Sequence, residues 1–153
     1  MPESPDIFRA SILNVDDQES NVRLLDFALR RGGYLAVSST TEPLEVCALH
    51  RQNRYALIIL DLQMPRMNGF EVMEGLAKIE GEEMVAVLVL SADPSQKVPA
   101  LAAGARAFLS KPIVLAEVLL RVHELLEQAL SRDIEAPALP PATDPAALLR
   151  VVR

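Results

Sequence analysis

The stretch IILDLQMPRMNGFEV, residues 58–72, joins an apolar run to an aspartate, which a proline and a glycine then follow. Consecutive apolar residues over 57–60 are expected of a central parallel strand that is covered on both faces. Asp61 comes where this strand ends, and its immediate neighbours in the sequence carry no positive charge. The stretch therefore predicts a buried strand whose end carries a carboxylate without a local counter-charge.

The rest of the chain alternates short β-rich runs with longer helical patterns. Strands are predicted at residues 11–15, 35–38, 57–60, 84–90 and 107–109, and helices at about 21–31, 43–49, 70–77, 97–105 and 115–126. Five strands that alternate with five helices predict right-handed βαβ units and a parallel sheet with helices on both faces. In such a sheet, ligands bind at the carboxyl ends of the strands, where the strand order switches.

Size and charge limit the classes of function. The 153 residues suffice for one ordinary domain. The net charge is −6, and the basic residues are scattered, so direct nucleic-acid binding is not expected. No apolar run approaches the ~20 residues that span a bilayer, and the N-terminus does not resemble a secretory signal. The expectation is a cytoplasmic protein, and Cys47 is expected to be a small apolar helix residue.

The composition changes after about residue 131. Residues 7–130 are expected to form the folded domain, whereas EAPALPPATDP is rich in proline and alanine and is typical of a linker or tail over 131–153. Asp144 could cap a short helix that begins at Pro145. Whether this helix frays, or docks on its own domain or on a partner, is left open by the sequence.

Polar side chains follow the ends of four predicted strands. Asp16 and Asp17 follow the first, Asp61 the third, Ser91 the fourth and Lys111 the fifth. Because carboxyl ends of parallel strands meet at one edge, these side chains should converge in one cleft. Three carboxylates so close together repel one another and need a cation. Oxygen ligands suit Mg²⁺, which commonly binds phosphate oxygens as well. The pattern predicts a site for Mg²⁺ and a phosphoryl group.

Asp61 is the central carboxylate of this predicted cleft. A carboxylate can act as a nucleophile and form an aspartyl phosphate when cations balance the charge of the transferring group. In this interpretation Asp17 holds the metal, with Asp16 acting through water. Lys111 pairs with a phosphoryl oxygen, and Ser91 donates a hydrogen bond to another.

These residues resemble the receiver domain of two-component response regulators. The resemblance spans about residues 7–130 and rests on VDD at 15–17, LDLQMPRMNGFEV from 60, SA at 91–92 and FLSKP from 108. It implies a flavodoxin-like sheet of order 2-1-3-4-5, and phosphorylation of Asp61 by a histidine kinase or a histidine phosphotransfer protein. It also implies Mg²⁺ bound by Asp17, Asp61 and the backbone carbonyl of Gln63.

The resemblance further implies roles at the fourth and fifth strands. Lys111 would contact the phosphoryl group, and Pro112 would follow a cis peptide bond. Ser91 and Phe108 would form the switch pair that responds to phosphorylation. The chain would then be no enzyme of the ordinary kind but a phosphoacceptor that assists its own phosphorylation and dephosphorylation, and it would signal to a downstream effector protein or domain.

Some features depart from the family pattern. The stretch from 91 to 111 is about two residues shorter than in many receivers and contains Pro94 and Pro99, so the fourth helix is expected to be short, displaced or kinked. This helix belongs to the surface through which the family commonly signals and dimerises, so the homodimer is an open expectation. Asn14, inside the first strand, is expected to be a core amide, while His50 and His123 are expected at the surface.

Three alternatives differ in output or class. The chain could act alone or relay phosphate, or it could be the receiver of a larger regulator, such as a cyclic-dinucleotide enzyme, that continues past residue 153. A phosphatase of the haloacid dehalogenase type would want an acid two residues after the nucleophile, where this chain has Gln63. A flavodoxin would want a phosphate-binding first loop, and DDQES at 16–20 would repel phosphate unless a metal intervened.

Overall fold

A computed structural model describes residues 6–64, 67–80 and 85–138 of the chain. The strands are β1 (Ser11–Val15), β2 (Ala36–Thr40), β3 (Leu57–Asp61), β4 (Ala86–Ser91) and β5 (Ala107–Ser110). The helices are α1 (Glu19–Arg31), α2 (Val46–Asn53), α3 (Gly69–Glu80), α4 (Lys97–Ala102) and α5 (Leu115–Ala138). Short 3₁₀ turns occupy Ile7–Arg9, Pro43–Glu45 and Pro94–Gln96.

The five strands form one parallel sheet in the order β2-β1-β3-β4-β5. This confirms the predicted flavodoxin-like, doubly wound fold. The chain moves outward from β1 to β2, then crosses back to β3 on the other side of β1, so the strand order reverses between β1 and β3. A crevice at the carboxyl ends of these two strands is the expected ligand position in such a sheet.

Two hydrophobic layers cover the sheet because successive strand residues point to opposite faces. Ile12 of β1 packs with Leu29 of α1 and Val118 of α5 in one layer. Its neighbour Leu13 packs with Met73 of α3 in the other layer. Every residue of β3 is buried, as the unbroken apolar run predicted.

The fourth helix is short, as predicted. α4 has six residues and follows the 3₁₀ turn that begins at Pro94. Pro99 is the third residue of α4, within the first turn, where its missing N–H costs no helical hydrogen bond. The two prolines are therefore accommodated by a 3₁₀ start and a first-turn position rather than by a kink.

Several elements extend beyond their predicted ends, and β2 and α5 show two different reasons. β2 continues to Thr40, because its pairing with β1 runs as far as Val15. α5 continues to Ala138, so the backbone of residues 131–138 is helical where a linker was predicted. Residues 139–153, which include the predicted helix start at 144–145, lie outside the described residues. The domain boundary itself stays a prediction.

The expected surface position of His50 is wrong. His50 is 1% exposed, and it lies four residues after buried Val46 on the inner stripe of α2. Arg54 caps this helix in the left-handed conformation, with φ 52°. The chain thereby turns back, and the N–H of Tyr55 donates to Nδ1 of His50 at 3.1 Å. His123, by contrast, has a side chain that is 44% exposed and lies 3.5 Å from a carboxylate oxygen of Glu127.

Membrane insertion is not expected from the sequence. None of the helices in the described part of the chain is both long and apolar enough to cross a bilayer.

Candidate functional site

The carboxyl ends of β1 and β3 bring three carboxylates together. Asp16 and Asp17 follow β1 directly, and Asp61 is the last residue of β3, the strand next to β1. Each of the three offers an oxygen, and these oxygens lie within 4.8 Å of one another. The structure thus places these predicted site residues in one cluster at the switch in strand order.

Asp61 is a buried carboxylate with a cation beside it. Its residue surface is 4% exposed, and Nζ of Lys111 lies 3.3 Å from its Oδ1. The N–H of Gln63 donates to the same oxygen at 3.4 Å. Burial raises the pKa of Asp61 above its ordinary value, while the ammonium of Lys111 opposes that rise. Ionised Asp61 is therefore less favourable here than in water, and a further cation would stabilise it.

Asp16 and Asp17 differ in their surroundings. Asp16 is buried; its Oδ2 lies 3.5 Å from Nζ of Lys111, and its Oδ1 accepts a hydrogen bond from the N–H of Gln18 at 3.0 Å. Asp17 is half-buried, and desolvation, together with the neighbouring charge of Asp16, raises its pKa. Asp16 is thus engaged within the fold, while Asp17 is more open to an incoming ion.

The position of Lys111 is fixed by its backbone. Its N–H donates to the carbonyl of Ser91 at 2.8 Å, and the Lys111–Pro112 peptide bond is cis, as predicted. Its ammonium lies between Asp16 and Asp61, and the side chain is 26% exposed. One ammonium cannot balance three carboxylates, so the cluster keeps an excess negative charge when all three are ionised.

The donor set fits a hard divalent cation. Three carboxylates offer only oxygen ligands, which Mg²⁺ prefers, and Mg²⁺ is commonly held by one or two carboxylates with waters completing its shell. The raised pKa values of Asp17 and Asp61 agree with this donor set, because they show that ionised carboxylates are disfavoured at this site. A bound cation would offset both the repulsion between the carboxylates and the cost of their desolvation. Asp16, Asp17 and Asp61 are therefore suited to hold such an ion.

Ser91 ends β4 at the same edge of the sheet, the rim formed by the carboxyl ends of the strands. Its side chain is fully buried, and its Oγ accepts a hydrogen bond from the N–H of Asp93 at 3.1 Å. The carboxylate of Asp93 in turn accepts hydrogen bonds from the backbone N–H and the hydroxyl of Ser95, which lower the pKa of Asp93. Ser91 is thus tied to the turn that begins α4, rather than to Asp61.

The other predicted residues lie around this rim. Phe108 of β5 pairs with Val89, two residues before the Ser110–Ser91 pair, and its half-buried ring packs on the α3 side of the sheet. The side chain of Gln63 is exposed. The roles of Phe108 as a switch residue and of the Gln63 carbonyl as a ligand stay predictions.

Asn14 is a core amide, as expected, but it has a definite contact. It is 1% exposed, and its Nδ2 donates to the carbonyl of Val22 in α1 at 3.2 Å. It also lines a cavity of about 270 Å³ between α1 and the segment after β5. The sequence signals the polar residue but not the cavity, since no local pattern shows how far α1 lies from Lys111.

Comparison with known proteins gives a consistent assignment. The family model described as the response regulator receiver domain matches residues 12–123. The transcriptional regulatory protein PrrA of Mycobacterium tuberculosis is 33% identical over 117 residues, which are 76% of this chain and 50% of PrrA. The sensory/regulatory protein RpfC of Xanthomonas campestris is 36% identical over 134 residues, which are 83% of this chain and 18% of RpfC.

Solved structures agree with the fold. The signal receiver domain of the LuxO repressor protein from Vibrio parahaemolyticus matches with a TM-score of 0.77 at 24% identity and covers 84% of this chain and 98% of that one. The chemotaxis protein CheY4 of Vibrio cholerae matches with a TM-score of 0.70 at 28% identity and covers 76% and 98%.

The relatives also bear on the alternatives. The chain spans about half the length of PrrA, so the activity of a whole regulator does not transfer to it. PrrA and RpfC are named as regulatory proteins, not as phosphatases, flavodoxins or cyclic-dinucleotide enzymes. The comparisons therefore do not favour those alternatives.

Proposed function

We propose that this chain, which belongs to the response regulator receiver family, accepts a phosphoryl group on Asp61 and acts as a phosphorylation-dependent switch. The observation that carries the proposal is the placement of Asp61. It is a buried carboxylate whose oxygen lies 3.3 Å from the Lys111 ammonium, and Asp16 and Asp17 offer oxygens within 4.8 Å. The donor would be a phosphohistidine of a histidine kinase or of a histidine phosphotransfer protein.

The transfer is a displacement at phosphorus. An oxygen of ionised Asp61 attacks the phosphorus, and a P–O bond forms as the P–N bond to the donor histidine breaks. The bonding electron pair passes to the imidazole nitrogen, which then takes up a proton. Lys111 balances charge on the phosphoryl oxygens. Mg²⁺, held by Asp16, Asp17, Asp61 and the backbone carbonyl of Gln63, would supply further stabilisation of that charge.

The switch follows from the new dianion. The hydroxyl of Ser91 would exchange its contact with the N–H of Asp93 for a phosphoryl oxygen, and the ring of Phe108 would turn into the space that it leaves. Moving such an equilibrium from 1:99 to 99:1 takes about 5.5 kcal/mol. A few charge-assisted hydrogen bonds of ~1.5 to 3 kcal/mol each are of that order.

The signal would then pass to a downstream effector protein or domain, in the cytoplasm. The same site would assist loss of the phosphoryl group, since Lys111 and the bound cation stabilise a water attacking the phosphorus as they stabilise Asp61 attacking it.

Intact mass after incubation with a small acyl phosphate and Mg²⁺ tests the assignment. We expect a mass increase of one phosphoryl group, which is absent when Mg²⁺ is chelated and absent in Asp61→Asn. Asp93→Asn is the matched control, because this aspartate lies at the same end of the sheet but its carboxylate accepts hydrogen bonds from Ser95. The Asp93→Asn variant should still be phosphorylated on Asp61. An adduct that persists at the wild-type level in Asp61→Asn would refute the proposal.

A further inference from the structure

Asn14 is a polar residue in the buried part of β1, where its strand neighbours Leu13 and Val15 are apolar. The strand residue on the same face, Ile12, belongs to the hydrophobic layer between the sheet and α1 and α5. Leu25 of α1 and Leu90 of β4 belong to that layer too, and both line the same cavity as Asn14. An aliphatic side chain would suit these neighbours, so packing alone does not account for an amide at this position.

The contact of Asn14 joins β1 to α1 across the acid loop, residues 16–18. Its Nδ2 donates to the carbonyl of Val22, in the first turns of α1. The acid loop is the connection between these two elements and carries Asp16 and Asp17. Because both ends of a three-residue connection are then fixed relative to each other, the two carboxylates have little freedom to move away from β3.

A cavity lies beside this contact, and Asn14 itself lines it. The cavity of about 270 Å³ separates Asn21 and Leu24 of α1 from Lys111 and Pro112. No side chains fill that space, so direct contact does not fix the distance between this part of α1 and the lysine, although Leu25 and Leu29 of α1 pack on the sheet. The hydrogen bond from Asn14 adds to this packing a polar contact between the interior of β1 and α1 beside the cavity.

We propose that Asn14 is a positioning residue, which holds the acid loop at the distance from Asp61 and Lys111 that binding of a divalent cation requires. It touches neither the cation nor the phosphoryl group. The inference rests on the proposed function, because it concerns the geometry of the same site, but it adds a residue that acts through α1.

Asn14→Leu tests the proposal, because leucine has the same number and branching of side-chain heavy atoms and matches the aliphatic neighbours, while it lacks the donor. We expect the variant to stay folded, with a urea midpoint no lower than that of the wild type. Without metal, amide hydrogen exchange at Gln18 and through the first turns of α1 should quicken. Mg²⁺ affinity, measured by calorimetry, should weaken by about tenfold, and the rate of phosphorylation at subsaturating Mg²⁺ should fall in proportion. Excess Mg²⁺ should restore that rate.

Ile12→Val is the matched control, because it alters the packing on the same face of the same strand and leaves the hydrogen bond from Asn14 to Val22 in place. It should leave Mg²⁺ affinity within twofold of the wild type. If Asn14→Leu does not fold, Asn14→Val takes its place in the same measurements, because valine is smaller than leucine and is favoured in strands. A folded variant that exchanges and binds Mg²⁺ like the wild type would overturn the role of Asn14. A wild-type chain that neither binds Mg²⁺ nor accepts phosphate would instead overturn the proposed function.

Discussion

At the scale of single residues, the fold shifts the pKa values of Asp61 and Asp93 in opposite directions. Burial raises the pKa of Asp61 above its ordinary value of 3.8, so folding favours the protonated form. Asp61 therefore stabilises the folded protein at pH values below the pKa that it has in the unfolded chain. This contribution is lost as the pH rises through the higher pKa that it has in the folded protein. Hydrogen bonds from Ser95 lower the pKa of Asp93, so its contribution is present above 3.8 and is lost as the pH falls through the folded pKa.

Asp61→Asn should therefore stabilise the metal-free protein at pH 7. The amide keeps the size of the side chain but removes a buried charge, and Lys111 keeps its contact with Asp16. We expect a gain of about 1 kcal/mol in the free energy of unfolding, which is on the order of the cost of an incompletely paired buried polar group. Urea unfolding in the presence of a chelator should show the gain at pH 7 and a smaller gain at pH 4.

Asp93→Asn gives the opposite comparison. It should not stabilise the protein at pH 7, because the ionised carboxylate is the better acceptor for the N–H and hydroxyl of Ser95. Equal gains for Asn at positions 61 and 93 would contradict the assignment of a specific charge penalty to Asp61.

Most site residues could be predicted from the sequence because the strand-end rule needs only strand boundaries. Asp61, Asp16 and Asp17 follow runs that are mainly apolar, and the strand order then places the ends of β1 and β3 side by side. His50 was misplaced because charge-bearing residue types are usually exposed, and its acceptor role depends on the left-handed Arg54 that turns Tyr55 back. That turn has no signal in the residues before it.

At the scale of elements, the corner between α2 and β3 should depend on His50. Its Nδ1 accepts the N–H of Tyr55, a residue that is itself buried. His50→Leu introduces an apolar side chain of similar size and leaves this N–H without its acceptor, and a buried donor left unpaired costs about 1–3 kcal/mol. We expect a loss of that size in urea unfolding.

His123→Leu is the control for that loss. The side chain is half-exposed and its contact with Glu127 is a surface pair, so the change should cost less than about 0.5 kcal/mol. A similar loss for the two variants would argue against a specific role of the His50 acceptor.

The packing of α2 on α3 depends on a glycine. A Cβ at Gly75 would lie 2.6 Å from Sγ of Cys47, which is too close for either atom to remain in place. Alanine is otherwise favoured over glycine inside a helix by about 1 kcal/mol. Gly75→Ala should therefore destabilise the wild type but stabilise Cys47→Ala.

A double-mutant cycle in urea measures this coupling between Gly75 and Cys47. We expect an interaction energy of about 1–2 kcal/mol, as is common for residues in contact. Additive effects of the two substitutions would show that the helices move apart at little cost.

The element boundaries show where local reasoning ends. Periodicity predicted β1 with its observed bounds, because β1 is central and buried over almost its whole length. It ended β2 two residues early, because β2 is an edge strand whose last residues are held by pairing with β1 rather than by their own apolar character. Pairing between distant segments is not visible in either segment alone.

At the scale of the whole molecule, the strand order brings the three carboxylates of the cluster together, and Mg²⁺ should reduce the repulsion between them. A ligand that binds only the folded state stabilises it by about 2.7 kcal/mol at a hundredfold excess over its dissociation constant. Mg²⁺ should accordingly raise the thermal midpoint of the wild type by about 5–10 °C. The rise should shrink at acid pH, as the carboxylates take up protons.

Asp17→Asn should remove most of this rise, because Asp17 is the cluster carboxylate that is most open to an incoming ion. Asp26→Asn is the matched control: this aspartate pairs with Arg30 on the surface of α1, away from the cluster, so the Mg²⁺-dependent rise should persist. A rise that is the same in both variants would mean that Mg²⁺ acts on the chain as a whole, through general charge screening, and not at the carboxyl ends of β1 and β3.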